Sequence, residues 1–183
     1  MLNLLFNIFM YWFYYIFRFG GNKVNYLRWL GVRIGEQCSI MNRINDFSEP
    51  WLVEIGNNVT LASGVLLITH DGASRVVRRN IVGANKKFGN KFGTIRILDN
   101  CFIGVSAIIL GDVVVGPNSI VGAGSVVTKN IPPNMVYAGN PAKPICSLEE
   151  YIEKYSGKLT QINAQDRKGL RSELTTKLWG EIR

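Results

Sequence analysis

His70 is the only histidine in the 183-residue chain, and it stands where an apolar run meets a basic stretch, in LLITHDGASRVVRRN (residues 66–80). Imidazole changes charge near neutral pH, which suits it to take a proton from an attacking hydroxyl group. The bland alternative is a histidine held in a structural role. Other reactive types are sparse. Cys38, Cys101 and Cys146 are odd in number and show no C-x-x-C spacing, which points to a reducing compartment without a disulfide framework. One histidine and three scattered cysteines cannot build a zinc shell, so no metal is expected.

Anion-binding chemistry sits beside His70. The net charge is +8, and residues 71–96 hold seven basic residues against one acidic, a local +6. A local patch fits a small anionic ligand or an acidic polymer better than nucleic acid, and nucleic acid is not expected as a partner. Its candidate contacts are Arg75, Arg78 and Arg79, with Lys86, Lys87 and Lys91 behind them. The alternative is a solvated surface loop.

What must position these groups is a repeat. Ile97, Ile103, Ile109, Val115, Val121 and Val127 are spaced by six, and Cys101, Ala107, Val113, Ser119 and Ser125 follow the first five by four. Earlier copies read IGEQCS, IGNNVT and LASGVL. A period of six suits neither an amphipathic helix nor a hairpin sheet. It suits a short strand and a turn on each face of a prism, three hexapeptides to a coil. The aliphatic residue points inward, the small one fills a corner, and Gly, Asn and Asp make the turns. The fold expected is therefore an all-β solenoid of residues 30–146, stabilised by stacking of successive coils. The spacing from Ile34 to Ile55 is not a multiple of six, so a coil is interrupted near NDFSEP. Residues 71–94 drop the repeat and read as an inserted, mobile, basic loop, a common setting for function.

The flanks read differently. Residues 1–29 form an apolar, aromatic helical segment whose first seventeen residues carry no charge. That is the lower limit of a ~17–25 residue span. It lacks the basic start and small-residue cleavage site of a signal peptide. Two readings of residues 1–19 stay open: peripheral contact with a membrane interface, where aromatic rings settle, and packing on the protein itself. In the C-terminal extension, 147–183, Ser147 to Glu150 reads as a capping box opening a helix that Gly157 stops. Leu170, Leu174 and Leu178 mark a second helix with one apolar packing stripe.

The repeat, together with IGNNVTLASGVLLITHDG (55–72) and IVGAGSVVTKNIPPNMVYAGNPAK (120–143), resembles the hexapeptide-repeat acyltransferases and in particular their sugar and polysaccharide O-acetyltransferase branch. That resemblance implies a left-handed parallel β-helix, a homotrimer with active sites between subunits, and acetyl-CoA as co-substrate. Carbonic anhydrases on this fold need three histidines. The nucleotidyltransferases need a preceding α/β domain that the first thirty residues cannot supply.

The resemblance carries the general-base role onto His70 and an active-site role onto Asn42, whose alternative is a coil-turn asparagine. It places Val105 and Ala123 along the pantetheine arm, and Thr128, Lys129 and Lys143 toward the nucleotide phosphates. Phe102 stands where many relatives have tryptophan. Asp71 neighbours His70, but neighbours on an extended strand face opposite ways, and Asp46 is an equally weak candidate to orient the ring. Cys101, at an inward position, is expected to be inert, which favours direct transfer over a cysteine acyl-enzyme. The function implied is acetyl transfer to a hydroxyl of a capsular, O-antigen or exopolysaccharide sugar or its precursor. The setting implied is cytoplasmic, with peripheral attachment at the inner face of the membrane as one option. Alternatives are N-acetylation of a nucleotide-linked aminosugar and a non-catalytic β-helix scaffold.

Overall fold

Three hexapeptides make one turn of chain, and successive turns stack their short strands in parallel on three sheets. The computed structural model describes residues 21–41, 47–80 and 88–180. The segment 1–19, Asn42, Asp46, Lys86 and Lys87 lie outside the described residues. The first face is the sheet β1 (Arg33–Ile34), β3 (Val53–Ile55), β8 (Ile95–Ile97) and β11 (Val113–Val115). The second holds β2 (Ser39–Ile40), β4 (Thr60–Leu61), β9 (Phe102–Ile103), β12 (Ile120–Val121) and β14 (Met135–Ala138), on which β15 (Lys143–Ser147) folds back antiparallel. The third holds β5 (Leu66–Ile68), β10 (Ile108–Leu110) and β13 (Val126–Val127).

The six-residue spacing produces this core directly. All eleven residues of the two repeat series from Ile97 to Val127 are 3% exposed or less. The two serines among them keep their hydroxyls satisfied: Ser119 Oγ donates toward the Pro117 and Pro132 carbonyls, and Ser125 Oγ donates to the Gly122 carbonyl. One corner is an asparagine ladder. Asn58, Asn100, Asn118 and Asn134 all have positive φ, 52–60°, a region asparagine tolerates better than most residues. Each of the first three donates its side-chain amide to the next, at 2.9, 2.8 and 3.1 Å.

Both irregularities leave the winding intact. Near NDFSEP, Phe47 is buried and bridges Leu67 on the third face, and the short 3-10 turn Pro50–Leu52 leads into β3. The insertion contains more structure than the loop expected. Its base is the antiparallel pair β6 (His70–Asp71) and β7 (Lys91–Phe92), and it carries helix α2 (Ser74–Asn80). Seven residues span too few turns to show a helical period in sequence, which is why the helix was not legible there.

Before the first coil, helix α1 (Lys23–Trp29) is capped by the Asn22 side chain and buries Tyr26 and Leu27. The chain divides into two compact units after Leu148. In the C-terminal unit, helix α3 (Leu148–Ser156) ends before Gly157, and α4 (Arg167–Trp179) is capped by Asp166. Glu173 accepts from the Asn163 and Ala164 amides and pairs with Lys177. Leu170 and Leu178 of the expected packing stripe are exposed. Among the described residues no helix is long and apolar enough to cross a membrane.

Adjacent Ile108 and Ile109 show the inward and outward alternation. Ile109 is fully buried and Ile108 faces outward on the same strand. In urea unfolding, Ile109→Ala is expected to cost ~2–5 kcal/mol, and Ile120→Ala, at the outward position of β12 on the second face, under half as much.

Candidate active site

His70 gains its position from the coil that precedes it. β5 ends at Ile68, Thr69 is fully buried, and His70 opens β6 opposite Phe92. The two rings lie 5.9 Å apart at 48°. The imidazole is therefore supported from the coil on one side and from the base of the insertion on the other.

The residue that orients it is Glu49. Its carboxylate lies 3.0 Å from His70 Nδ1 and accepts a hydrogen bond from Thr69 Oγ1. In return the Glu49 backbone N–H donates to Thr69 Oγ1 at 3.2 Å. The Glu49 side chain is 17% exposed and that of His70 is 46% exposed. Burial pushes the Glu49 carboxyl up, but the Thr69 and His70 hydrogen bonds and the His70 charge outweigh it and hold the group below its ordinary value. An ionised carboxylate only accepts, so Nδ1 carries the ring proton and Nε2 is left as the basic nitrogen.

Asp71, one of the two carboxylates weighed from the sequence, does not make this contact, and Asp46 lies outside the described residues. Asp71 instead accepts from the Ala73 amide at 2.7 Å, as expected for a strand neighbour facing away. Glu49 was missed because it precedes His70 by 21 residues across the irregular coil. The pairing of Phe47 with Leu67 sets Glu49 beside Thr69, and that register was the available signal.

A depression of about 130 Å³ opens beside the imidazole, lined by His70, Asp71, Lys91, Gly93, Leu110 and Thr128 among others. Thr128 is thus brought to His70, with the exposed Lys129 next to it. Val105 and Ala123 stack at the other edge of the third face, where the Gly124 amide donates to the Val105 carbonyl. A turn at Ala123–Gly124 and the strand β13 lead from Ala123 to Thr128. Lys143 is exposed at the start of β15. Phe102 is exposed on the second face.

The insertion's arginines lie on α2. Arg75 and Arg79 are exposed. Arg78 is committed inside the insertion, where its Nη1 donates to Ser74 Oγ, the Phe88 carbonyl and Asn90 Oδ1 at 2.9–3.3 Å. Cys101 is buried, and burial pushes its thiol up, which disfavours the reactive thiolate.

Residues 94–129 match the bacterial transferase hexapeptide model, described as six repeats. Protein CapG of Staphylococcus aureus is 45% identical over 130 residues, which cover 70% of this chain and 73% of CapG. The chain belongs to the hexapeptide-repeat transferase family. It is an acyltransferase of that family. Among solved structures, a hexapeptide-repeat acetyltransferase of Vibrio cholerae in complex with acetyl coenzyme A superposes with a TM-score of 0.55 at 26% identity, over 64% of this chain and 61% of that one. A maltose O-acetyltransferase of Clostridium difficile superposes with a TM-score of 0.52 at 28% identity, over 68% and 74%.

For this hexapeptide transferase, Glu49→Gln is expected to lower kcat by about tenfold or more with little change in KM, because the ring loses its anionic anchor. The pH dependence of stability has a definite sign. With the folded value depressed, the stability Glu49 contributes is present above the ordinary glutamate range and is lost as pH falls through the lowered value. The difference in Tm between wild type and Glu49→Gln should shrink in that acidic window, and a difference unchanged across it contradicts the assignment.

Proposed function

We propose that this transferase moves an acetyl group from acetyl-CoA to a hydroxyl of a surface-polysaccharide sugar or its precursor, with His70 as general base. One observation carries the reading: Glu49 holds His70 by Nδ1 at the rim of a depression that also contains Thr128. The Vibrio structure with acetyl coenzyme A supports the donor, and the maltose O-acetyltransferase supports a sugar hydroxyl as acceptor.

Nε2 accepts the hydroxyl proton as the oxygen attacks the thioester carbonyl carbon. The new C–O bond forms, the C–S bond breaks, and the imidazolium returns its proton to the departing thiolate. Glu49 stabilises the imidazolium between these two transfers. The buried Cys101 takes no part, so transfer is direct.

The resemblance puts Val105 and Ala123 on the donor's pantetheine arm and Thr128, Lys129 and Lys143 toward its phosphates, the lysines as point charges; because Thr128 lies beside His70 within one chain, the His70 that meets this donor's thioester is contributed by the neighbouring subunit. Arg75 and Arg79 meet an anionic acceptor. Arg78, whose Nη1 is bonded within the insertion, adds its remaining donors to them. Asn42 keeps the active-site role that the resemblance gives it.

The unit is a left-handed β-helix over residues 30–146, assembled as a homotrimer with active sites between subunits. The outer surface of the third face supports that assembly: Leu66, Ile68, Ile108, Leu110 and Val126 are all aliphatic, and they adjoin His70. The three free cysteines fit a cytoplasmic setting, with residues 1–19 available for attachment to the inner face of the membrane.

His70→Ala is expected to lower acetyl transfer by ~10²–10⁴-fold, followed by thiol release with saccharide acceptors, while the thermal melt is unchanged. Mass spectra of surface glycans from cells lacking the gene should show one acetyl group lost. Full turnover by a folded His70→Ala protein would exclude His70 as the base.

A further inference from the structure

A second depression, about 350 Å³, lies on the first face and is lined by Arg33, Trp51, Glu54, Thr94 and Arg96 among others. Register builds its charged side. Arg33 pairs with Glu54 and Glu54 with Arg96 across three successive turns, so the three side chains stack at the ~4.8 Å strand spacing. Glu54 lies 3.5 Å from Arg33 Nη1 and 3.2 Å from Arg96 Nη2. One carboxylate between two guanidinium groups leaves a net positive charge. Two five-donor forks also offer more N–H groups than one carboxylate accepts. Glu54 therefore holds the arginines in place without exhausting them.

The other side is an indole. Trp51 is 63% exposed. A lone exposed apolar residue is ordinary, but this one is fixed at its root. A Cβ built on Gly31 would come within 3.1 Å of Trp51 Cβ, so the backbone of the α1–β1 turn lies directly against it. Pro50 opens the short turn that presents the ring. A rigid plate beside a fork of cationic donors matches a pyranose that has an apolar C–H face and an anionic edge. The volume is within the range of small-molecule sites, from ~300 Å³ upward.

Its location connects it to the chemistry. Trp51 follows Glu49 by two residues, and Thr94 follows Gly93, which lines the His70 depression. We propose that this depression is a second saccharide subsite, in which Trp51 stacks on a carboxylate-bearing sugar ring, Arg96 and Arg33 bind its carboxylate, and a neighbouring ring of the same oligomer reaches His70. The inference rests on the saccharide acceptor argued above and narrows it to an acidic oligomer.

The test separates binding from transfer. The full chain, without acetyl-CoA, is titrated calorimetrically with a panel of uronate-containing hexasaccharides and with neutral hexasaccharides of equal length. A uronate hexasaccharide should bind at least about tenfold tighter than the neutral ones. Trp51→Ala and Arg96→Gln should each weaken it by about tenfold, with Trp51→Phe retaining most of the affinity. The subsite is overturned if no uronate hexasaccharide binds, if neutral oligomers bind as well, or if the folded Trp51 and Arg96 variants bind like wild type. It is likewise overturned if Trp51→Ala changes the oligomeric state in sedimentation and leaves binding intact, since a second copy then covers the ring. Uronate binding without acetyl transfer would remove the reaction and keep the subsite. Transfer to monosaccharides without Trp51-dependent binding would do the reverse.

Discussion

Every other feature of this molecule depends on stacking one turn of chain on the next in a fixed register. A single turn has too few residues to enclose anything, so its inward aliphatic side chains leave water only against those of the neighbouring turns. A slip of one residue would turn each strand's inward set outward. The asparagine ladder holds one corner in that register. It joins residues 18 apart between Asn100 and Asn118, and 42 apart between Asn58 and Asn100, where the insertion intervenes. The insertion thus leaves the winding and returns to it in step, so side chains can be mounted on it without disturbing the core.

That mounting explains the electrostatics around His70. A half-buried carboxylate is costly unless its charge is compensated. Glu49 meets the requirement with Thr69 Oγ1 and the imidazole N–H, so the interactions that keep it charged also fix the histidine tautomer. Thr69, between β5 and β6, is fully buried, and its hydroxyl meets Glu49 rather than water. The histidine is left half-exposed, open to a substrate on its remaining nitrogen.

The outer surfaces of the prism differ as sharply as its interior is uniform. The first face carries the Arg33, Glu54 and Arg96 stack beside Trp51, while the third carries only aliphatic residues on its outward positions. Both border the corner that bears His70. Chemistry placed at that corner has a charged surface on one side and an apolar one on the other, which suits a site shared by a polar acceptor and a neighbouring subunit.

Much of this was legible in the chain. Six-residue periodicity is a local pattern repeated many times, so the coils, the inward set from Ile97 to Val127, the buried Cys101 and the place of His70 at a coil end all followed from spacing. The short helix in the insertion and the engagement of Arg78 did not, because seven residues carry too little periodicity and a guanidinium's partners are not encoded by its neighbours. Asp71 was correctly doubted from strand geometry, yet the true partner lay 21 residues away. Sequence determined the winding and where His70 sits, because both arise from contacts that recur at a fixed interval. Only the tertiary structure decided that Glu49 holds the ring and that Trp51 stands beside two arginines, because those contacts depend on how an irregular coil and a long insertion each return to register.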